Sequence, residues 1–386
     1  MLFAASLFWF SGVFIFYAYL GYPLVLWLIS SFSKRSSAAF PRPIEPRVTL
    51  FISVYNEEKG IEEKILNTLN LNYPKKLFEV VVLSDGSEDR TDEIVSRYAD
   101  KGVRLRRYEG RIGKTACLNE AIPLAEGEIV VFSDANSKYD REAIMNLVAH
   151  FQDKEIGFIT GITKYVSNKD EPSSDSISLY WQIERLTKKL ESEIGSCVGA
   201  DGAIFAIRKA LYQPLKPYDI NDFVIPLAVI EQGYRGKLES SAFCYEETAG
   251  GAKQEFSRQV RITNRTIRAI VNRLYLLNPF RHGLLSFELY SHKVCRLFVP
   301  FVMLIFLATN FILSAKGAFY LFALSGQLLF YLLAGVNILN LRVKILFLSR
   351  MSSLAHTFTM TNFAILSGWI QYLKGETNIV WVSSRQ

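Results

Sequence analysis

The chain has 386 residues, half of them hydrophobic, and its 44 Lys and Arg against 37 Asp and Glu leave a formal charge of +7. Residues 1–33 carry no charged side chain and residues 297–386 carry seven, so the other 74 lie in residues 34–296. A charged block between two apolar regions excludes a wholly soluble protein, a disordered chain and a pure transporter.

A helix crosses the bilayer core with roughly 20 apolar residues. The first stretch that qualifies is 2–32. It has no basic n-region and no small-x-small cleavage site, so it reads as a retained anchor (residues 1–33) and not as a signal peptide. Residues 34–47 form a Ser- and Pro-rich linker. Its Lys34, Arg35, Arg42 and Arg47 against Glu45 place the following block in the cytoplasm by the positive-inside bias.

Strands and helices then alternate. VTLFISV (48–54) reads as a buried strand, 57–69 as a helix, FEVVVLS (78–84) as a strand and 87–99 as a helix. VRLRRY (103–108) is a short strand, 114–125 a helix, EIVVFSD (128–134) a strand, 141–151 a helix and IGFITGIT (156–163) a strand. The pattern predicts an α/β domain over 48–252 with a mainly parallel sheet and helices on both faces.

Residues 253–296 hold nine basic and two acidic side chains. Arg258, Arg261, Arg265 and Arg268 recur at helical spacing, while Phe256, Val260, Ile267, Ile270, Val271 and Leu274 lie largely on another face. This predicts an amphipathic helix at the membrane surface, with anionic lipid contributing roughly 1 kcal/mol per basic residue. An arginine stripe also suits nucleic acid. A segment abutting a membrane helix favours membrane lipids as the partner, with no nucleic acid. Three further spans follow at 297–315, 317–341 and 351–373, and 374–386 is a tail. Alternation puts the loop at Lys316 outside, the 342–350 loop inside and the C-terminus outside. Cys117, Cys197, Cys244 and Cys295 show no CxxC spacing, so neither zinc nor a disulfide framework is expected.

In open α/β sheets ligands bind beyond the carboxyl ends of the strands. Three successive strands deliver polar, acid-containing turns there: Ser53-Val54-Tyr55-Asn56-Glu57, Ser84-Asp85-Gly86-Ser87 and Ser133-Asp134-Ala135-Asn136. One such turn is an ordinary helix cap, and Ser87 and Asp140 suit that role. Three on one edge point to a site. Asp85 can accept hydrogen bonds from a base or ribose. Asp134 and Asn136 put two oxygen ligands on one turn, which suits Mg2+ or Mn2+ holding phosphate oxygens. Neither a GxGxxG fingerprint nor a GxxxxGK[ST] loop is present, which counts against dinucleotide enzymes and P-loop ATPases.

SVYNEE (53–58), SDGSEDRT (84–91), GKTACLN (113–119), SDANS (133–137) and VGADGAIFAIRK (198–209), with YLGYPLVLW (19–27) in the first span, together resemble membrane-embedded glycosyltransferase family 2, of GT-A fold. The likeness is to its poly-N-acetylglucosamine, hyaluronan and cellulose synthase-type members and covers nearly the whole chain. It implies that Ser53, Tyr55, Glu57 and Asp85 bind the nucleotide and that Asp134 and Asn136 hold the metal–diphosphate. Asp222, which also suits a helix cap, is implied as the general base. Lys114 suits the phosphates or the donor sugar, and equally a solvated helix surface. Asp201, between Gly199 and Gly202, suits either an acceptor contact or a turn.

Where the family has Q-x-x-R-W over the pyrophosphate and acceptor, this chain has Arg258-Gln259-Val260-Arg261-Ile262. Arg261 keeps the arginine, the glutamine is displaced to Arg258 or Gln259, and Ile262 stacks on a sugar less well than Trp. Asn136 is also a weaker ligand than the family's second carboxylate. The expectation is an inverting, metal-dependent enzyme that transfers sugar from a UDP-sugar, such as UDP-N-acetylglucosamine or UDP-glucose, to a polysaccharide or lipid-linked acceptor. Polymer translocation is one extension of that expectation. Single addition to a lipid-linked acceptor and a non-catalytic membrane subunit that keeps the fold are the alternatives.

Overall fold

The computed structural model describes residues 1–32, 44–166, 173–247, 252–338 and 346–377. Lys34, Arg35 and Arg42, residues 342–345 of the inside loop and the last nine residues of the tail lie outside these.

Eight strands form one sheet: β1 (Val48–Val54), β2 (Phe78–Asp85), β3 (Val103–Tyr108), β4 (Ile129–Asp134), β5 (Lys138–Tyr139), β6 (Ile156–Val166), β7 (Ile204–Arg208) and β8 (Arg235–Glu247). Their order is β3-β2-β1-β4-β7-β6-β8-β5. The first four are mutually parallel, as the alternating pattern predicts. β7 then runs antiparallel to β4 and β6, β8 lies parallel to β6, and β5 antiparallel to β8. The sheet is therefore mixed, with its parallel half at the N-terminal end of the domain. All seven residues of β1 are buried, which is why the strand reads as a continuous apolar run. Alternate residues serve two cores. Phe51, Phe132 and Phe205 point to one face, where Phe132 and Phe205 stack at 4.3 Å. Leu50, Ile52 and Val131 point to the other.

The expected helices form, two of them trimmed at their starts. The 57–69 helix begins at Ile61 and the 87–99 helix spans Thr91–Ser96, because the polar turns before them are occupied in bonding one another. Two long elements had no counterpart in the sequence reading: the Ser173–Ile194 helix and β8.

Among the described residues three helices are long and apolar enough to cross a membrane: Leu2–Phe32, Leu284–Ser314 and Ala318–Val336. The fourth expected span forms the Leu346–Leu373 helix, which is not among them. It is interrupted by Arg350, Ser352, Ser353, Thr357, Thr359 and Asn362.

A buried ionic network joins the first two spans to the Ser173–Ile194 helix. Tyr22 donates to Glu191 (2.8 Å), His292 Nδ1 also meets Glu191 (2.8 Å), and His292 Nε2 meets Glu184 (3.0 Å). Arg296 pairs with Glu184 at 2.6 Å. Burial raises the Glu184 pKa, but His292, Lys293 and Arg296 outweigh it and hold the carboxylate well below its usual range. Nearby, Tyr17 Oη and Ser291 Oγ lie 2.7 Å apart, each in a π-helical turn (Tyr17–Gly21 and Tyr290–Val294). Such wide turns re-aim side chains within an otherwise regular helix.

Candidate active site

The acid turns meet at one edge because the parallel register brings their strands to a common end: Ser53 stands opposite Asp134 and Val54 opposite Ser84. The first two turns are stapled together. Asn56 adopts a left-handed conformation (φ 50°), which Asn tolerates better than most residues. Its backbone N–H donates to Ser87 Oγ (3.2 Å), its side-chain oxygen accepts from Glu88 N–H (2.9 Å), and Glu57 N–H donates to Thr91 Oγ1 (2.8 Å). Gly86 has φ 70°, and a Cβ there would lie 2.5 Å from the Gly110 carbonyl oxygen, so the turn after Asp85 requires glycine.

A cavity of about 280 Å³ opens beyond β1 and β4. Of the residues singled out in the sequence, Ser53, Glu57, Lys114, Asp134, Asn136, Asp222 and Arg261 line it. Lys114 Nζ lies 2.6 Å from Asp134 Oδ1. Asp222 enters on the first turn of the Asn221–Glu231 helix. A Cβ at Gly202 would lie 3.0 Å from its Oδ2, so glycine is what lets that carboxylate sit there. Burial raises the Asp222 pKa, with Lys114 and Lys188 pulling it back in part. The loop before Asp222 is tied to the Lys114 helix, since Thr115 Oγ1 bonds both the Asp219 carbonyl (3.1 Å) and the Asn221 side-chain oxygen (2.9 Å).

Three selected residues do not line the cavity. Tyr55 is buried under the Arg111 guanidinium, 3.4 Å from the ring centroid. Gln259 donates to Glu255 on its own helix at 2.7 Å. Asp85 is buried behind the cavity, where Oδ1 accepts from Gly113 N–H (3.0 Å) while Oδ2 has no hydrogen-bond partner. Asp201 serves a turn, accepting from Thr163 N–H, Thr163 Oγ1 and Ala203 N–H.

The basic helix (Ala252–Val271) departs from the expected lipid docking. Arg258, Arg261 and Arg265 line the cavity, and Arg268 bonds the Glu376 carbonyl oxygen at 2.6 Å. Val260, Ile267 and Ile270 are buried in protein. The cavity takes the arginine face and the Leu346–Leu373 helix takes part of the apolar one, while Val271 and Leu274 stay exposed at the helix end.

The sequence reading missed Tyr165, Glu246, Glu247 and the inward aim of Arg258 and Arg265, all on the cavity wall. Burial, then the charges of Asp134 and Asp201, pushes Glu246 up to about 8. It also missed Lys64, which is fully buried beneath the Asp134 turn and donates to Ser133 Oγ (2.7 Å) and the Ser137 carbonyl (2.5 Å). Burial pulls its ammonium down to about 8. A lysine among glutamates at the start of a helix carries no local mark of such a role. The arginine spacing did carry one: three guanidinium groups on one helical face need anions, and the acid turns had already implied a phosphate site.

As a metal site the turn offers Asp134 and Asn136 only. No group of three or more His, Cys, Asp or Glu suited to a metal occurs among the described residues. That donor set fits a hard cation which takes its other ligands from diphosphate oxygens and water.

Residues 49–215 match the family model described as glycosyl transferase family 2. A beta-monoglucosyldiacylglycerol synthase of Trichormus variabilis is 30% identical over 151 residues, 36% of this chain and 32% of the relative. A poly-beta-1,6-N-acetyl-D-glucosamine synthase of Staphylococcus aureus is 26% identical over 214 residues, 53% of this chain and 51% of the relative. The chain thus spans a third to a half of the length of these relatives. Among solved structures, mannosyltransferase PcManGT from Pyrobaculum calidifontis, in complex with GDP-Man and Mn2+, covers 95% of this chain and 99% of its own at a TM-score of 0.69 and 21% identity. That likeness is one of fold. The family match takes in the turns of Asp85 and Asp134, Asn136 and the Lys114 helix, and stops short of Asp222 and the arginine helix. Residues 49–215 thus carry the likeness to glycosyl transferase family 2, on a GT-A fold.

Proposed function

We propose that the protein is an inverting, metal-dependent glycosyltransferase that moves a sugar from a UDP-sugar to a polysaccharide or lipid-linked acceptor at the cytoplasmic face of a membrane. The reading rests on one observation: Lys114, Asp134, Asn136, Asp222 and Arg261 share a single cavity. In the reaction an acceptor hydroxyl oxygen attacks the anomeric carbon, its proton passes to Asp222, and the bond from that carbon to the diphosphate breaks on the opposite face, releasing UDP. Asp222 acts as the general base, and its raised pKa makes it a better proton acceptor than a solvated aspartate. Mg2+ or Mn2+ on Asp134 and Asn136 would offset the charge of the leaving diphosphate. Lys114, Arg261 and Arg265 supply fixed cations for the same purpose. Asp85 stays outside the cavity, where it holds the Gly113 turn at the start of the Lys114 helix.

The named activities of the relatives, addition to a growing N-acetylglucosamine polymer and synthesis of a glucosyl lipid, bracket the acceptor classes. The test offers membranes containing the protein a panel of radiolabelled UDP-sugars and GDP-mannose, with Mn2+, Mg2+ or EDTA. A product that requires metal and is lost in Asp222→Asn supports the proposal, and its size and lipid solubility separate polymer from single addition. No transfer and no nucleotide release with any donor would sink it.

A further inference from the structure

One wall of the cavity is built from strand ends that no part of the donor chemistry uses. Tyr165, near the end of β6, is the register partner of Glu246 on β8, and Val166 that of Glu247. Tyr165, Glu246 and Glu247 all line the cavity. The Trp181 ring stands behind Tyr165, with centroids 5.3 Å apart and planes tilted by 37°. β7 separates β6 from β4 and β8 lies beyond β6, so this wall lies to the side of the Asp134 strand. We infer that Tyr165, backed by Trp181 and flanked by Glu246 and Glu247, is an acceptor subsite for a saccharide ring.

The chemistry selects this occupant. A pyranose has an apolar C–H face and a rim of hydroxyl groups. The tyrosine ring offers an apolar, electron-rich face to the first, and two carboxyl groups offer acceptors to the second. A hydrocarbon chain at the same wall would leave those carboxyl groups desolvated and unpaired. A phosphate would meet the charge of Glu247. The nearby guanidinium, Arg258, acts electrostatically on both Tyr165 and Glu246 and is already held by Glu255 through bonds of 2.8 and 2.9 Å. The wall thus suits a neutral, hydroxyl-rich ligand. The inference deepens the transfer reading and rests on it: the acceptor brings a sugar ring into the cavity, and not a bare phosphate or a glycerol hydroxyl alone.

The test is calorimetric binding to the full-length protein in detergent, without donor, of tetrasaccharides of β-linked glucose, α-linked glucose and β-linked N-acetylglucosamine. At least one should bind. Tyr165→Phe keeps the ring and should bind as the unaltered protein does, whereas Tyr165→Leu should bind about tenfold more weakly. Glu247→Gln, a change at an exposed side chain that leaves the fold alone, should also weaken binding severalfold. Absence of binding for all three saccharides would overturn the inference, as would equal loss in the Phe and Leu variants or full affinity in both Tyr165→Leu and Glu247→Gln. Nucleotide release from the UDP-sugar panel, measured on the same preparation, keeps the two readings apart. Release without saccharide binding overturns only the subsite, and saccharide binding without release or transfer overturns only the transfer reading.

Discussion

Asp222 and Lys64 show how burial changes what a side chain is worth. Asp222 must be ionised to take a proton, and burial raises its pKa. The acid limb of the rate profile should therefore lie above the range of an ordinary aspartate. Lys188→Met removes a cation that favours the carboxylate, so the limb should move to still higher pH, read as kcat against pH. Asp222→Asn should lower kcat by about a hundred- to ten-thousand-fold with the thermal unfolding midpoint unchanged. Lys64 acts on stability. Its ammonium is pulled down to about 8 in the folded chain from 10.5. Between those values the unfolded chain binds the extra proton, so stability rises with pH through this window, by about 3 kcal/mol at most. Lys64→Met should abolish that rise, seen by comparing unfolding midpoints from pH 8 to 10. The resemblance implied Asp222, and nothing in the sequence could mark Lys64, whose role depends on Ser133 and Ser137 folding over it.

At the scale of elements, the arginine helix owes its position to a close crossing with the Leu346–Leu373 helix. A Cβ at Gly368 would lie 2.6 Å from Thr263 Cγ2 and 3.2 Å from the Val260 carbonyl oxygen. Gly368→Ala should therefore destabilise the protein by about 1–3 kcal/mol through overpacking. Because Arg258, Arg261 and Arg265 ride on the displaced helix, the donor KM should rise as well. Adding Thr263→Ala removes the Cγ2 clash but leaves the Thr263 Cβ 2.7 Å away, so the double variant should recover only part of both losses, a coupling that a double-mutant cycle in unfolding midpoint and KM would measure. Helical periodicity identified this helix and its two faces. It could not say what each face meets, because an apolar stripe fits acyl chains and protein equally well and an arginine stripe fits lipid phosphate and donor phosphate equally well.

Across the whole molecule, the catalytic domain and the membrane helices share one buried ionic network. Glu184 takes His292 on one side and Arg296 on the other. Glu184→Ala strands those partners without a carboxylate, and breaking such a buried pair costs about 3–5 kcal/mol. The unfolding midpoint of the full-length protein in detergent should fall accordingly, and no surface change such as Glu109→Ala should match it. Glu184, Glu191 and His292 are separated by more than 100 residues at the widest, so no local pattern could pair them.

What the residues determined unaided was whatever depends on near neighbours in the chain. The apolar runs, the α/β alternation and the three acid turns at strand ends were legible, because each is a pattern of a few to twenty residues. Three-dimensional packing alone decided the rest: the reversal at β7 that makes the sheet mixed, the inward turn of the arginines, the retreat of Asp85 behind the cavity, and the Tyr165 wall. Those depend on which surfaces meet, and that is settled by contacts between segments far apart in the chain, where spacing along the sequence carries no information.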